Sequence, residues 1–158
     1  MMTELSSLAA TMLAEDTPKP APRLMLQSQL AEIERLWPWV DALGAEFSIP
    51  ADTMFAIHLC LEEAVSNIIR HGYQGQGGRP IFVEFTPESG IDLLFTIDDQ
   101  APPFDPLAFG AGRETKFTTE LLEPGGHGIS FLRKYSGGLG YRRLPQGNRL
   151  TIRFSIHR

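Results

Sequence analysis

Apolar and polar residues alternate from Arg23 to Ser28, the period-two pattern of a strand with one buried face. From Gln29 to Leu43 the period lengthens. Leu30, Ile33, Leu36, Trp37 and Val40 fall on one side of a helix, and Pro38 is placed to kink it. Ile49-Pro50-Ala51-Asp52 opens a second helix with its proline near the first turn, and an apolar run continues from Met54 to Ile69. The glycine-rich stretch from Gly72 to Pro80 predicts a loop. Ile81–Thr86 and Ile91–Asp98 read as two strands joined by a turn at Glu88-Ser89-Gly90. Asp99 to Pro124 is proline-rich and without a clear period, a long irregular connection of the kind that is functional or mobile. Ile129–Tyr135 predicts a short helix, and Gly138–Leu144 with Gly147–Ile156 a closing hairpin through Pro145-Gln146-Gly147. The order β-α-α-β-β-loop-α-β-β, with helices grouped beside mostly antiparallel strands, predicts an α+β fold: a two-layer α/β sandwich.

Bulk properties narrow the class. The chain has 158 residues, enough for one domain with a full core, and its 42% hydrophobic and 21% charged residues describe a soluble globular protein. The net charge of -5 and the lack of a basic stripe argue against direct nucleic-acid binding. No apolar run approaches the length of a membrane span. Residues 1–22 read as a tail ending in the proline-rich linker Thr17-Pro18-Lys19-Pro20-Ala21-Pro22, and residues 23–158 as the folded domain. Met1 to Ala14 carries Glu4 and lacks a basic start, so it reads as a tail or docking segment rather than a signal peptide. The single cysteine, Cys60, sits in an apolar helical stretch and reads as a buried inert thiol; with no disulfide to form, a cytoplasmic location is expected.

Three constellations carry candidate chemistry. Glu63, Asn67 and His71 form one polar line along an otherwise apolar helix, which should face a metal, a phosphate or an internal hydrogen-bond network. A carboxylate there can accept a proton, and a carboxamide oxygen one turn on can hold Mg²⁺; the ordinary alternative is a solvated helix face. Asp98 and Asp99 end a strand and precede Gln100-Ala101-Pro102-Pro103-Phe104-Asp105-Pro106. An aspartate at a strand end can accept a hydrogen bond from an exocyclic amine such as that of adenine, or it can simply cap a turn. Gly125-Gly126-His127-Gly128-Ile129 precedes a helix, so its backbone can approach a phosphate at the helix N-terminus, or it is a flexible connection. No Gly-Lys-Ser/Thr follows, which excludes a P-loop.

The three together, in this order, resemble the GHKL ATP-binding superfamily, and within it the small anti-sigma-factor serine/threonine kinases of bacterial partner switching. The stretch from Glu63 to Tyr73 is similar to their N-box, Asp99 to Pro106 to their Asp-x-Gly-x-Pro-Phe-Asp-Pro box, and Gly125 to Ile129 to their second glycine box. Phe117-Thr118-Thr119 resembles the ATP lid. The resemblance runs from about Arg23 to Phe154 and implies the GHKL (Bergerat) fold, with a mixed, mostly antiparallel sheet and helices on one face. It also implies ATP and Mg²⁺ as cofactors, a sigma factor and an anti-sigma-factor antagonist as partners, and a homodimer. It implies Glu63 as the general base, Asn67 as the Mg²⁺ ligand and Asp99 as the acceptor of the adenine amine. Ala101 would lie against the base, and Gly125, Gly126, His127, Gly128 and Ile129 would border the phosphates.

Two positions depart from the family pattern. Ala101 stands where the adenine box has glycine, and its methyl is expected to crowd the base. Pro124 stands at or near an arginine that reaches the γ-phosphate in the sporulation-type kinases. Both motivate an alternative, a catalytically weak or inactive nucleotide-dependent module for partner switching. His71 reads as a helix C-terminal residue bonding carbonyls, Phe104 as packing the adenine box against the sheet, and Trp37 and Trp39 as packing or dimer-surface residues.

Overall fold

The computed structural model describes residues 19–88, 91–108 and 128–156. Five strands form one sheet: β1 (Arg23–Gln27), β2 (Pro80–Glu88), β3 (Asp92–Asp99), β4 (Gly138–Leu144) and β5 (Gly147–Ser155). Their spatial order is β1-β2-β3-β5-β4, and every pairing is antiparallel. The sheet is therefore more uniform than the mostly antiparallel one expected. Among the described residues three α-helices accompany it: α1 (Leu36–Glu46), α2 (Ala51–Asn67) and α3 (Gly128–Tyr135).

Strand alternation builds the core. Ile81, Val83 and Phe85 of β2, Leu93, Phe95 and Ile97 of β3, and Leu150, Ile152 and Phe154 of β5 are all buried. The helices supply the other half with Leu36, Val40, Leu43, Ile57, Leu61 and Val65. Phe95 lies at the centre, with ring centroids 5.1 Å from Phe85, 5.9 Å from Phe154 and 6.2 Å from Trp39. Trp39 thus packs α1 onto the sheet, whereas Trp37 is 52% exposed beside His58. The opposite sheet face carries ion pairs: Arg149 grips Asp98 with two bonds of 2.7 and 2.6 Å, and Arg153 meets Glu88 and Asp92.

Two helices differ from the periodicity reading. The expected helix from Gln29 divides into a 3₁₀ turn (Leu30–Arg35) and α1, and Pro38 falls in the first turn of α1. A proline there removes no intrahelical hydrogen bond, so it marks a helix start instead of a kink. The second helix does not stay α-helical to its end: after Asn67 the backbone winds wider into a π-helical segment, Ile68–Gly72. Such segments are rare and recur at functional sites.

Truncating Phe95 tests this packing. Phe95→Ala should lose about 3–5 kcal/mol of stability in urea unfolding at an unchanged denaturant slope. Thr96→Ala, one residue on and facing the open side, should lose under about 1 kcal/mol.

Candidate functional site

The alternation of β3 sends its two terminal acids to opposite faces. Asp98 joins Arg149 on the open face, while Asp99 turns toward the helices and is 5% exposed. A carboxylate so buried needs donors. Its Oδ1 accepts the Ala101 N–H at 2.8 Å and the Asn148 side-chain amide at 2.8 Å. Among the described residues Oδ2 accepts no hydrogen bond, which leaves it for the exocyclic amine expected at this position. Burial pushes the Asp99 pKa up; the bonds from Asn148 and Ala101 and the Arg143 charge pull against it without cancelling it.

Asn148 is the residue that sequence reasoning missed. It is 2% exposed and lies directly across from Asp99 in the β3–β5 register. Its amide also donates to the Pro102 carbonyl at 3.0 Å. Its oxygen accepts from the Tyr141 hydroxyl at 2.7 Å, and from Phe104 N–H and Arg143 at 3.2 Å each. The signal was present: Asn148, Leu150, Ile152 and Phe154 share one period-two face, so the asparagine points inward with three core residues. Gly147 allows this register. A Cβ at Gly147 would stand 1.8 Å from the Asp99 carbonyl oxygen, so only glycine lets β5 begin there.

Ala101 is buried, and its methyl group has a place. A Cβ added at Gly72 would come 3.5 Å from it, an ordinary packing distance, so the methyl lies beside Gly72 without crowding it. The Ala101 carbonyl accepts Arg143 Nη1 at 2.8 Å. Phe104 stacks on His71 of the π-helical segment, with centroids 6.1 Å apart, while its N–H donates to Asn148 of β5. Tyr73, also unremarked in the sequence, locks the junction. Its hydroxyl accepts Gln100 N–H at 2.7 Å and donates to the Pro80 carbonyl at 2.7 Å. Asp105 caps its own turn through Leu107 N–H, the ordinary role of such an aspartate.

The end of α2 and the segment after Asp99 are therefore brought together through Gly72, Tyr73 and Ala101. Glu63 is half-buried on α2, and Asn67, 4% exposed, is the last α-helical residue before the π-helical segment. Cys60, one turn before Glu63, has its thiol pushed up to about 12 by burial and then by the Glu63 charge, which agrees with an inert thiol. Gly128 is the first residue of α3. Gly125, Gly126, His127, Pro124 and the lid stretch Phe117–Thr119 lie outside the described residues, as does the side chain of Ile129. Among the described residues no three His, Cys, Asp or Glu side chains converge on a point.

Asp99 is a standing cost at neutral pH. The folded chain holds this proton more tightly than the unfolded chain, so the Asp99 contribution is full below the ordinary aspartate value and is lost as pH rises through the raised folded value. Asp99→Asn should therefore melt at or above the wild-type temperature at neutral pH, and the advantage should fade in thermal scans below pH of about 3.9. Asn148→Ala strips several buried groups of their partner at once and should cost about 2–3 kcal/mol in the same scans.

The comparisons with known proteins bear on the family and the fold. The chain is 25% identical over 115 residues to a protein named serine/threonine-protein kinase BtrW from Bordetella bronchiseptica, covering 72% of this chain and 79% of that one. Its fold is similar to the crystal structure of the RsbU and RsbW domains of Rv1364c from Mycobacterium tuberculosis, with a TM-score of 0.63 at 13% identity. That match covers 88% of this chain and 32% of the larger protein. It is also similar to the Erythrobacter litoralis EL346 blue-light activated histidine kinase, with a TM-score of 0.50 at 15% identity over 80% of this chain and 41% of that one. Residues 26–154 match the family described as the histidine kinase-like ATPase domain, and the chain belongs to that family.

Proposed function

We propose that this protein is a Mg-ATP-dependent serine/threonine kinase of the anti-sigma type, which binds a sigma factor and phosphorylates an anti-sigma-factor antagonist. The observation that carries the reading is the buried Asp99, with Oδ2 open, joined through Ala101 and Gly72 to the helix bearing Glu63 and Asn67. The match to a protein named as a serine/threonine kinase supports the choice of acceptor. A homodimer and a cytoplasmic location belong to the same proposal. No helix among the described residues is long and apolar enough to cross a membrane.

The chemistry assigned to each residue is limited. Asp99 Oδ2 accepts the adenine amine, and Asn148 with Ala101 N–H hold the carboxylate in place for it. Glu63 takes the proton from the acceptor hydroxyl as its oxygen bonds to the γ-phosphorus and the bond to the ADP oxygen breaks. Asn67 offers its carboxamide oxygen to Mg²⁺, which when bound neutralises phosphate charge. Ala101 was a reason to expect weakened nucleotide binding; its methyl lying over Gly72 weighs toward retention.

Transfer from radiolabelled Mg-ATP to the antagonist tests the proposal. Glu63→Gln should lower the transfer rate by about 100-fold or more while leaving ATP affinity within a few-fold. Asp99→Asn should weaken ATP binding in calorimetry by about tenfold or more. Equal transfer by wild type and Glu63→Gln would defeat the general-base role. ATP binding with no transfer by the wild type would leave the nucleotide-dependent binding module as the better reading.

A further inference from the structure

Adjoining the Asp99 site, with which it shares Gly72, Tyr73, Ala101 and Pro102, is a concavity of about 510 Å³ that extends away from Glu63, Asn67 and Asp99. Its polar lining is formed by Gln74, Gln76, Arg79, Gln100, Arg143 and Gln146. No carboxylate lines it, although the chain as a whole carries a net charge of -5. Arg149 and Arg153 on the open sheet face are spent in ion pairs, whereas among the described residues Arg79 and Arg143 make no ion-pair contact, the Arg143 charge acting on Asp99 only from a distance. Arg143 keeps its position through the Ala101 carbonyl and the Asn148 oxygen, and Arg79 lies over the Tyr73 ring with its guanidinium carbon 6.0 Å from the centroid.

The wall holding Arg79 is built in advance. Buried Ser28 accepts the Arg79 N–H and donates its hydroxyl to the Gln76 carbonyl, so β1 pins the loop at two points. Gln74 sits at φ 53°, in the left-handed region that a glutamine rarely adopts, with Gly75 following at φ 76°.

The lining specifies the ligand. Guanidinium groups pair with carboxylates in a two-pronged fashion. Each glutamine amide offers both a donor and an acceptor, as the N–H and C=O of a peptide backbone require. Arg79 leads into β2 and Arg143 lies on β4, three strand spacings away, or about 14 Å between backbones. Cations on opposite walls with amides between them suit carboxylates spaced along a chain better than one compact anion.

We propose that this basin docks an extended acidic segment of a partner protein, with Arg79 and Arg143 taking its carboxylates and the glutamines its backbone. The proposal rests on the kinase reading only for the partner being a protein. The test uses a fluorescein-labelled peptide of alternating Glu and Ser at low salt, read by anisotropy, with side-chain amide resonances of the four glutamines followed by NMR. Arg79→Ala should weaken binding by about fivefold or more, and Arg79→Lys by less. Arg142→Ala removes the same charge from an exposed residue outside the basin and should stay within about twofold. The Mg-ATP affinity of Arg79→Ala, measured by calorimetry, should equal that of the wild type. The proposal is overturned if the peptide does not bind, if Arg142→Ala weakens it as much as Arg79→Ala, if the glutamine amides do not shift, or if inorganic phosphate displaces the peptide at equal charge concentration. Peptide binding in a protein that fails to bind ATP would sink the kinase reading and leave the basin standing. ATP binding without peptide binding would sink the basin alone.

Discussion

A carboxylate buried at the end of a strand is the constraint around which this molecule is organised. Asp99 lies 5% exposed at the edge of an apolar core, where an unsupported charge is costly. Its support is drawn from three places in the chain: the backbone just after it, Asn148 at the start of β5, and the Arg143 charge at the end of β4. Each partner is itself held. Asn148 is tied to Tyr141, Phe104 and Pro102, and Arg143 to the Ala101 carbonyl. The remaining desolvation is not compensated by the protein, as expected where a ligand completes the hydrogen bonding.

That network also explains why the sheet ends as it does. Gly147 brings β5 so close to the Asp99 carbonyl that no side chain fits between them, and the Asp99–Asn148 register follows from that contact. On the other side of Asp99, Tyr73 joins the end of the π-helical segment to Pro80 and Gln100 through one hydroxyl. The helix carrying Glu63 and Asn67 is thereby coupled to the strand carrying Asp99 by packing at Gly72 and Ala101 and by hydrogen bonds at Tyr73. Fixing both walls of a site before a ligand arrives lowers the ordering cost of binding.

The same alternation that buries Asp99 exposes Asp98, and the two acids take unrelated parts. Asp98 closes a paired, two-bond contact with Arg149 on the open face, of the kind that trims sheet surfaces and holds strands in register. Arginines elsewhere are treated differently. Arg149 and Arg153 on the open face are held in ion pairs, while Arg79 and Arg143 line the basin beside the Asp99 site.

Most elements were legible in the sequence because periodicity is local. The strands at Arg23, Ile81 and Ile91 and the closing hairpin each carry their own alternation, and Asp99 follows from its place at a strand end. Pro38 was misleading because its effect depends on where the helix starts, which the 3₁₀ turn decides. Phe104 was read as packing the box against the sheet, and its stacking on His71 depends on a turn that periodicity does not describe. Asn148 was passed over within its strand because the partner that makes it matter is 49 residues away. By itself, then, the sequence determined the alternating strands, the amphipathic helices and the polar residues placed on them. Only the tertiary structure decided which polar groups meet, because burial makes a lone polar group costly and the chain can meet that cost only by bringing distant segments together.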